Sequence, residues 1–334
     1  MPSYRAISVR ELSSDFRAAT EIVHVPELPV AGAGDVVVKN HYVGVNASDI
    51  NITKGAYGVT NVPFVAGLEA VGVVTEVGEG VSDVKVGDAV AYYHIGAFAE
   101  YVQLPATKVL KVPEPVPAML PITVCGISVS IALEQAGEMK SGETVLITSA
   151  AGGSGQMAVQ LAKLAGNHVI GTCSSDEKVE HLKKLGCDRV INYKKEKVDE
   201  VLKNEYPKGV NLVLESVGGE MLQAAVENVA PLGRVVVFGV TSEYQDGQNN
   251  ASVFSVSALT RVLLGRSASL RGANLGTFTS LMSEHIARLL TLVQEGKLEP
   301  GVDPTPYQGL EQIPDAIDRM YARQNVGKLI VKLV

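Results

Sequence analysis

The chain has 334 residues, 46% hydrophobic and 19% charged, the composition of an ordinary globular protein long enough for two domains. Its 29 Lys and Arg against 36 Asp and Glu give a formal charge of −7, which argues against nucleic acid or an anionic membrane as the main partner. It contains no run of about 18 uncharged apolar residues. Cys125, Cys173 and Cys187 are too scattered for a disulfide framework, and Arg5, Arg10 and Glu11 stand where a signal peptide needs an apolar centre, so a reducing, cytoplasmic setting is expected.

In chain order, the first third is rich in Val and Gly and reads as short strands at 35–46, 66–81, 85–93 and 96–105, with glycines where a small, partly open β-barrel must bend. The proline cluster 113–117 marks a boundary, and 118–137 reads as helix. From 143 onward strand and helix alternate: strands at 143–150, 168–173, 189–193, 210–218 and 233–240, helices at 156–166, 176–186 and 222–230. That spacing predicts an α/β fold with a doubly wound parallel sheet. The apolar stretch 253–265 suits either a dimer contact or a core helix, 280–298 is amphipathic, and the chain ends in a strand.

The turn TSAAGGSGQ (148–156) leaves a strand and opens a helix. Gly152, Gly153 and Gly155 let the backbone turn tightly and approach a pyrophosphate, which the helix amides and dipole would then hold. Ala150 replaces the first glycine of the general fingerprint. Cofactor choice is written after the second strand, where an NAD enzyme carries an acid for the ribose hydroxyl. Here the residues are Gly171-Thr-Cys-Ser-Ser175, with Lys178 behind, and hydroxyls with an ammonium favour the 2′-phosphate of NADPH. Asp176 is expected at the N-cap of the next helix. No G-x-S-x-G elbow or GxxxxGK[ST] loop is present, and the six histidines show no spacing for a metal site.

The motifs VGVNASDINITKGAY, PFVAGLEAVGVVTEVG, AAGGSGQ, GTCSSDEKVEHLKKLGCDRVINY and NVGKLIVKL, in this order, resemble the zinc-free quinone oxidoreductase branch of the medium-chain dehydrogenases and reductases. Within it the chain is most similar to the 15-oxoprostaglandin 13-reductase group, sometimes labelled zinc-binding alcohol dehydrogenase domain-containing. The resemblance implies a Rossmann sheet inserted into a GroES-like, partly open β-barrel catalytic domain. The expected boundaries are 1–120 and 273–334 for the barrel and 121–272 for the NADPH-binding domain. It also implies a homodimer. The family's cofactor contacts fall on Ser154, Ser174, Lys178, Tyr193, Ser216, Gly239, Tyr244 and Asn325.

Zinc-dependent relatives place a Cys where this chain has Asn46, and a His in the triplet that reads Gly67-Leu68-Glu69 here. Cys125 alone survives near the third position, and one thiolate cannot hold the ion. Without a Lewis acid, the accessible chemistry is hydride addition from NADPH to a quinone or an α,β-unsaturated carbonyl. The negative charge then moves to oxygen, where donors lower the barrier. Asn46 and Tyr57 are the candidate catalytic donors; the structural alternatives are an Asn46 that bonds a barrel turn and a Tyr57 that packs as a wall. Asp49 is expected to brace the loop. Competing functions are the 15-oxoprostaglandin 13-reductase itself and an NADPH-binding structural or sensor protein with little turnover.

Overall fold

The computed structural model describes residues 2–244 and 255–334. The chain divides into two compact units, one of residues up to Val124 together with Val302–Val334, the other Cys125–Gly301.

The first unit is built on a seven-stranded sheet and a three-stranded one. The central strand Asp35–Gly44 pairs antiparallel with Glu69–Val77 along one edge. Along its other edge it pairs first with Tyr101–Pro105 and then, past Lys39, with the tail strand Ile330–Lys332. The tail is therefore part of this sheet rather than hanging from it. Val36, Val38, Val43, Val74, Tyr92, Phe98 and Val331 share one buried core. Gly72 shows why glycine recurs here: a Cβ would stand 2.1 Å from the Lys39 carbonyl oxygen, at the point where the strand register shifts. The short helix Ile313–Tyr321, which the strand pattern does not announce, buries Ile313, Ala316 and Ile317 in the same core.

The second unit holds a six-stranded parallel sheet. Its strands are called β1 (Thr144–Ile147), β2 (His168–Cys173), β3 (Arg189–Asn192), β4 (Val210–Glu215), β5 (Val229–Val237) and β6 (Ser269–Gly272). Their order is 3-2-1-4-5-6, the doubly wound arrangement with its switch point between β1 and β4. Central β1 is Val, Leu and Ile buried on both faces, as a parallel strand covered on two sides must be. The expected helix over 118–137 is α-helical only at Ile127–Ile131, between π-helical turns Pro121–Gly126 and Ala132–Ala136.

Residues 273–301, expected with the barrel, lie in this second unit. The helix Met282–Gln294 buries His285, Ile286 and Leu289. His285 Nδ1 meets Ser130 Oγ at 2.8 Å, and Arg288 reaches both Ser130 Oγ and Glu134 at 2.7 Å. This polar set, buried at His285 and Ser130 and open to solvent at Arg288 and Glu134, ties the helix to Ile127–Ile131, which an apolar stripe read from sequence cannot reveal.

Candidate active site

Past the carboxyl ends of β1 to β5 stand the candidate cofactor residues of this unit. Gly152, Gly153, Ser154 and Gly155 follow β1, Ser174 and Lys178 follow β2, and Tyr193 follows β3. Ser216 follows β4, and Gly239 and Tyr244 follow β5. In open parallel sheets this edge, at the switch point, is where ligands bind.

The turn after β1 is shaped by its own bonds. Ser149 takes φ +50°, a left-handed conformation costly for a residue with a side chain. It is held there because its N–H donates to Thr172 Oγ1 (3.1 Å) and the Ala150 N–H to the Thr172 carbonyl (2.9 Å). The helix Gly153–Leu164 then starts with Gly152 as N-cap and without a side-chain cap, so its first amides have no capping side chain. At Gly155 a Cβ would sit 2.4 Å from the Ser149 carbonyl oxygen, so only glycine lets the helix close onto the turn.

After β2, Ser174 and Lys178 are 6% and 7% exposed, a burial that sets them apart from ordinary surface polar residues. The N-cap of the helix Asp176–Lys184 is Ser175, whose Oγ accepts the Lys178 N–H, and not Asp176. Asp176 is instead tied by Lys195 Nζ (2.5 Å) and Asn192 Nδ2 (3.1 Å), which hold its carboxyl below the usual range. Its charge is thus offset beside Ser174 and Lys178.

After β4, the loop carrying Ser216 is pinned from both sides. Thr148 Oγ1 accepts the Ser216 N–H at 2.9 Å, and Glu215 accepts from the amides of Val217 (2.9 Å) and Gly218 (3.0 Å). Glu215 is fully buried, and burial pushes its carboxyl up to about 7 although these amides pull it down. Gly239 lies against Ser216, where a Cβ would meet the Ser216 carbonyl oxygen at 3.2 Å. Tyr244 Oη accepts the Val240 N–H at 3.2 Å.

The remaining candidates belong to the barrel unit. Asn46 begins the turn that leads from the central strand into the helix Ser48–Thr53. Its Oδ1 accepts from Lys328 Nζ at 2.7 Å, and its Nδ2 donates to Glu69 Oε1 at 2.9 Å and to the Gly44 carbonyl at 3.3 Å. Lys328 also pairs directly with Glu69 Oε1, and both side chains are buried. Asp49 braces this turn as expected, accepting the Asn46 N–H at 2.7 Å, and burial pushes its carboxyl up to about 8. Tyr57 lies on the 3₁₀ turn Ala56–Gly58; its side chain is outside the described residues. Asn325 donates to the Gly327 carbonyl at 2.9 Å within its own loop, which Asp303 anchors through the Val326 N–H.

Sequence reasoning missed Glu69, Lys328, Thr148, Thr172 and Glu215. For the first two a signal existed: one acid in the apolar run GLEAVGVV and one base in GKLIV, each needing a buried partner of opposite sign. The others are polar residues closing buried strands, visible only once strand neighbours are known.

Comparison with known proteins bears on this site. Residues 153–295 match the family described as zinc-binding dehydrogenase, and residues 32–114 the alcohol dehydrogenase GroES-like domain. The chain is 43% identical to a probable quinone oxidoreductase of Leishmania amazonensis, over 99% of this chain and 98% of that one. It is 44% identical to prostaglandin reductase-3 of Mus musculus, over 97% and 88%. Among solved structures, Escherichia coli quinone oxidoreductase complexed with NADPH superposes with a TM-score of 0.86 at 26% identity, covering 98% of this chain and 99% of that one. The zinc in the first family's description does not fit the donors present. Among the described residues no three His, Cys, Asp or Glu side chains are grouped to hold a metal, and the Asn46 oxygen is already held by an ammonium.

Proposed function

The chain belongs to the quinone-oxidoreductase branch of the medium-chain dehydrogenase/reductase superfamily, as a zinc-free, NADPH-dependent reductase of quinones and conjugated carbonyls, and from that premise we propose how its own residues divide the work. The amides at the start of Gly153–Leu164, with Ser154, hold the pyrophosphate. Ser174, Lys178 and Tyr193 take the adenosine 2′-phosphate, and Ser216, Gly239, Tyr244 and Asn325 line the rest of the cofactor. NADPH, when bound, supplies the hydride. The oxygen that gains negative charge is met by the Asn46 amide hydrogen that makes only the long 3.3 Å bond to Gly44, and by the Tyr57 hydroxyl, the final proton coming from that hydroxyl or from water.

The observation that carries this reading is the end of β2, where two buried donors, Ser174 and Lys178, stand beside an acid whose charge Lys195 offsets. The test follows NADPH oxidation by purified protein with chelator present, offering phenanthrenequinone, a short enone and a 15-oxoprostaglandin. Turnover that persists with chelator and falls with NADH supports the reading. NADPH binding without turnover on any acceptor would replace it with a structural or sensor role. The 44% identity to prostaglandin reductase-3 favours 15-oxoprostaglandin 13-reduction as a second reading, decided by which acceptor gives the higher kcat/KM.

The same proposal includes a homodimer and a cytoplasmic location. The dimer is supported by β6, an end strand of its sheet, and by the helix Val256–Arg266, which buries none of its residues and leaves Val256 and Leu264 76% and 83% exposed. The three cysteines, all buried thiols, support a reducing compartment. No helix among the described residues is long and apolar enough to cross a membrane.

A further inference from the structure

The ion pair at Asn46 is a built site. Lys328 is 2% exposed and Glu69 fully buried. The tail is placed to deliver the ammonium, since the Val45 N–H donates to the Leu329 carbonyl at 3.0 Å and the Asp303 N–H to that of Lys328 at 2.8 Å. Gly44 leaves room for the carboxylate: a Cβ there would stand 2.4 Å from Glu69 Oε1. Asn46, Lys328 and Glu69 close a ring, with ammonium on amide oxygen, amide hydrogen on carboxylate, and carboxylate on ammonium.

A carboxamide has two nearly isosteric orientations. Here the flipped one would set the amide hydrogens against an ammonium and the amide oxygen against a carboxylate. Two charge-assisted bonds would be exchanged for two repulsions, so a single orientation survives. The donation to Oδ1 also draws electron density from the nitrogen, making its second hydrogen a stronger donor. Stability alone does not call for such an arrangement, because a buried ion pair returns little over an apolar pair of the same size. Glu69 Oε2, moreover, is buried with no hydrogen-bond partner, a cost that a purely structural pair would avoid.

We infer that Lys328, paired with Glu69, is a positioning residue for the reduction: an internal cation that orients and polarises the Asn46 carboxamide at the position where zinc-dependent relatives carry their first metal ligand. The inference rests on the proposed role of Asn46 as the donor to the substrate oxygen.

The test compares Asn46→Ala, the double variant Lys328→Met with Glu69→Gln, and Lys328→Arg, all on the full chain. Readouts are thermal melting, NADPH affinity by fluorescence, and kcat with phenanthrenequinone. The double variant removes both charges together and so avoids burying an unpaired one. It is expected to melt near wild type, to bind NADPH within about twofold, and to lose roughly 10–100-fold in kcat, part of the loss expected for removing an oxyanion donor outright. Adding Asn46→Ala to it should bring kcat down only to that of Asn46→Ala alone, and Lys328→Arg should recover most of the rate. Wild-type kcat in the double variant, with Asn46→Ala impaired, overturns the positioning role and leaves the Asn46 reading intact. Wild-type kcat in Asn46→Ala overturns both. If the double variant melts far below wild type, Glu69→Gln alone decides: a fall in kcat per folded molecule supports the positioning role, and an unchanged one overturns it.

Discussion

Two glycines of the turn after β1 are expected to fail in different ways when replaced by alanine. At Gly155 the added Cβ would meet Ser149 O at 2.4 Å, Ala150 Cα at 2.6 Å and Ala150 C at 2.7 Å, all backbone atoms. Ordinary contact begins at 3.4 Å, so helix and turn must part by about 1 Å. Ser149, already at φ +50°, has little room to yield. Overpacking of this kind costs ~1–3 kcal/mol, and each kcal/mol corresponds to roughly 2–4 °C of melting temperature in a unit the size of Cys125–Gly301. Gly155→Ala should therefore melt several degrees low without cofactor. It should also bind NADPH at least about tenfold more weakly, because the helix amides are displaced from the anion. At Gly152 the nearest atoms to a Cβ are 3.4 and 3.7 Å away and φ is −78°. Gly152→Ala should thus keep its apo melting temperature and lose NADPH affinity only through the closer approach of the pyrophosphate. Differential scanning fluorimetry of the apo proteins, paired with NADPH titration, separates the two. A Gly155→Ala protein that melts like wild type, or two variants with the same profile, would refute the reasoning.

Lys178→Ala should weaken NADPH by roughly 10–100-fold, the worth of one hydrogen bond to a charged group, and leave NADH untouched; equal losses for both cofactors would remove Lys178 from the 2′-phosphate. Glu215 should make stability pH-dependent. Its carboxyl titrates near 7 when folded, above its ordinary range when unfolded, so the native state holds the extra proton between these values. The associated stability is full below the unfolded value and is lost as pH rises through about 7, an effect on the order of 3 kcal/mol. Glu215→Gln mimics the neutral acid and should flatten this slope in urea denaturation across pH 5 to 8. An unchanged slope would show that Glu215 is not the titrating group.

Much of this protein could be read before folding, because short-range rules carried the signal. Strand and helix alternation from 143 onward identified the parallel sheet, and the glycine spacing at 152–155 identified the turn after β1. Hydroxyls and an ammonium after β2, in place of an acid at the strand's end, indicated NADPH. Each depends on residues within one turn or one strand of each other. The helical reading of 118–137 was coarser than the structure, since pattern does not separate α from π turns. The placement of 273–301 went astray because an amphipathic stripe says that a helix packs, but not against which partner.

The sequence by itself determined the strand–helix alternation of the second unit, the glycine turn after β1, the preference for NADPH and the loss of the metal donors, since each follows from which side chains are present and how far apart they stand along the chain. Only the tertiary structure decided what replaced those donors. Lys328 reaches Asn46 across 282 positions because the tail strand pairs with the end of the central barrel strand. The ring with Glu69 forms because that pairing buries two opposite charges where neither could remain alone.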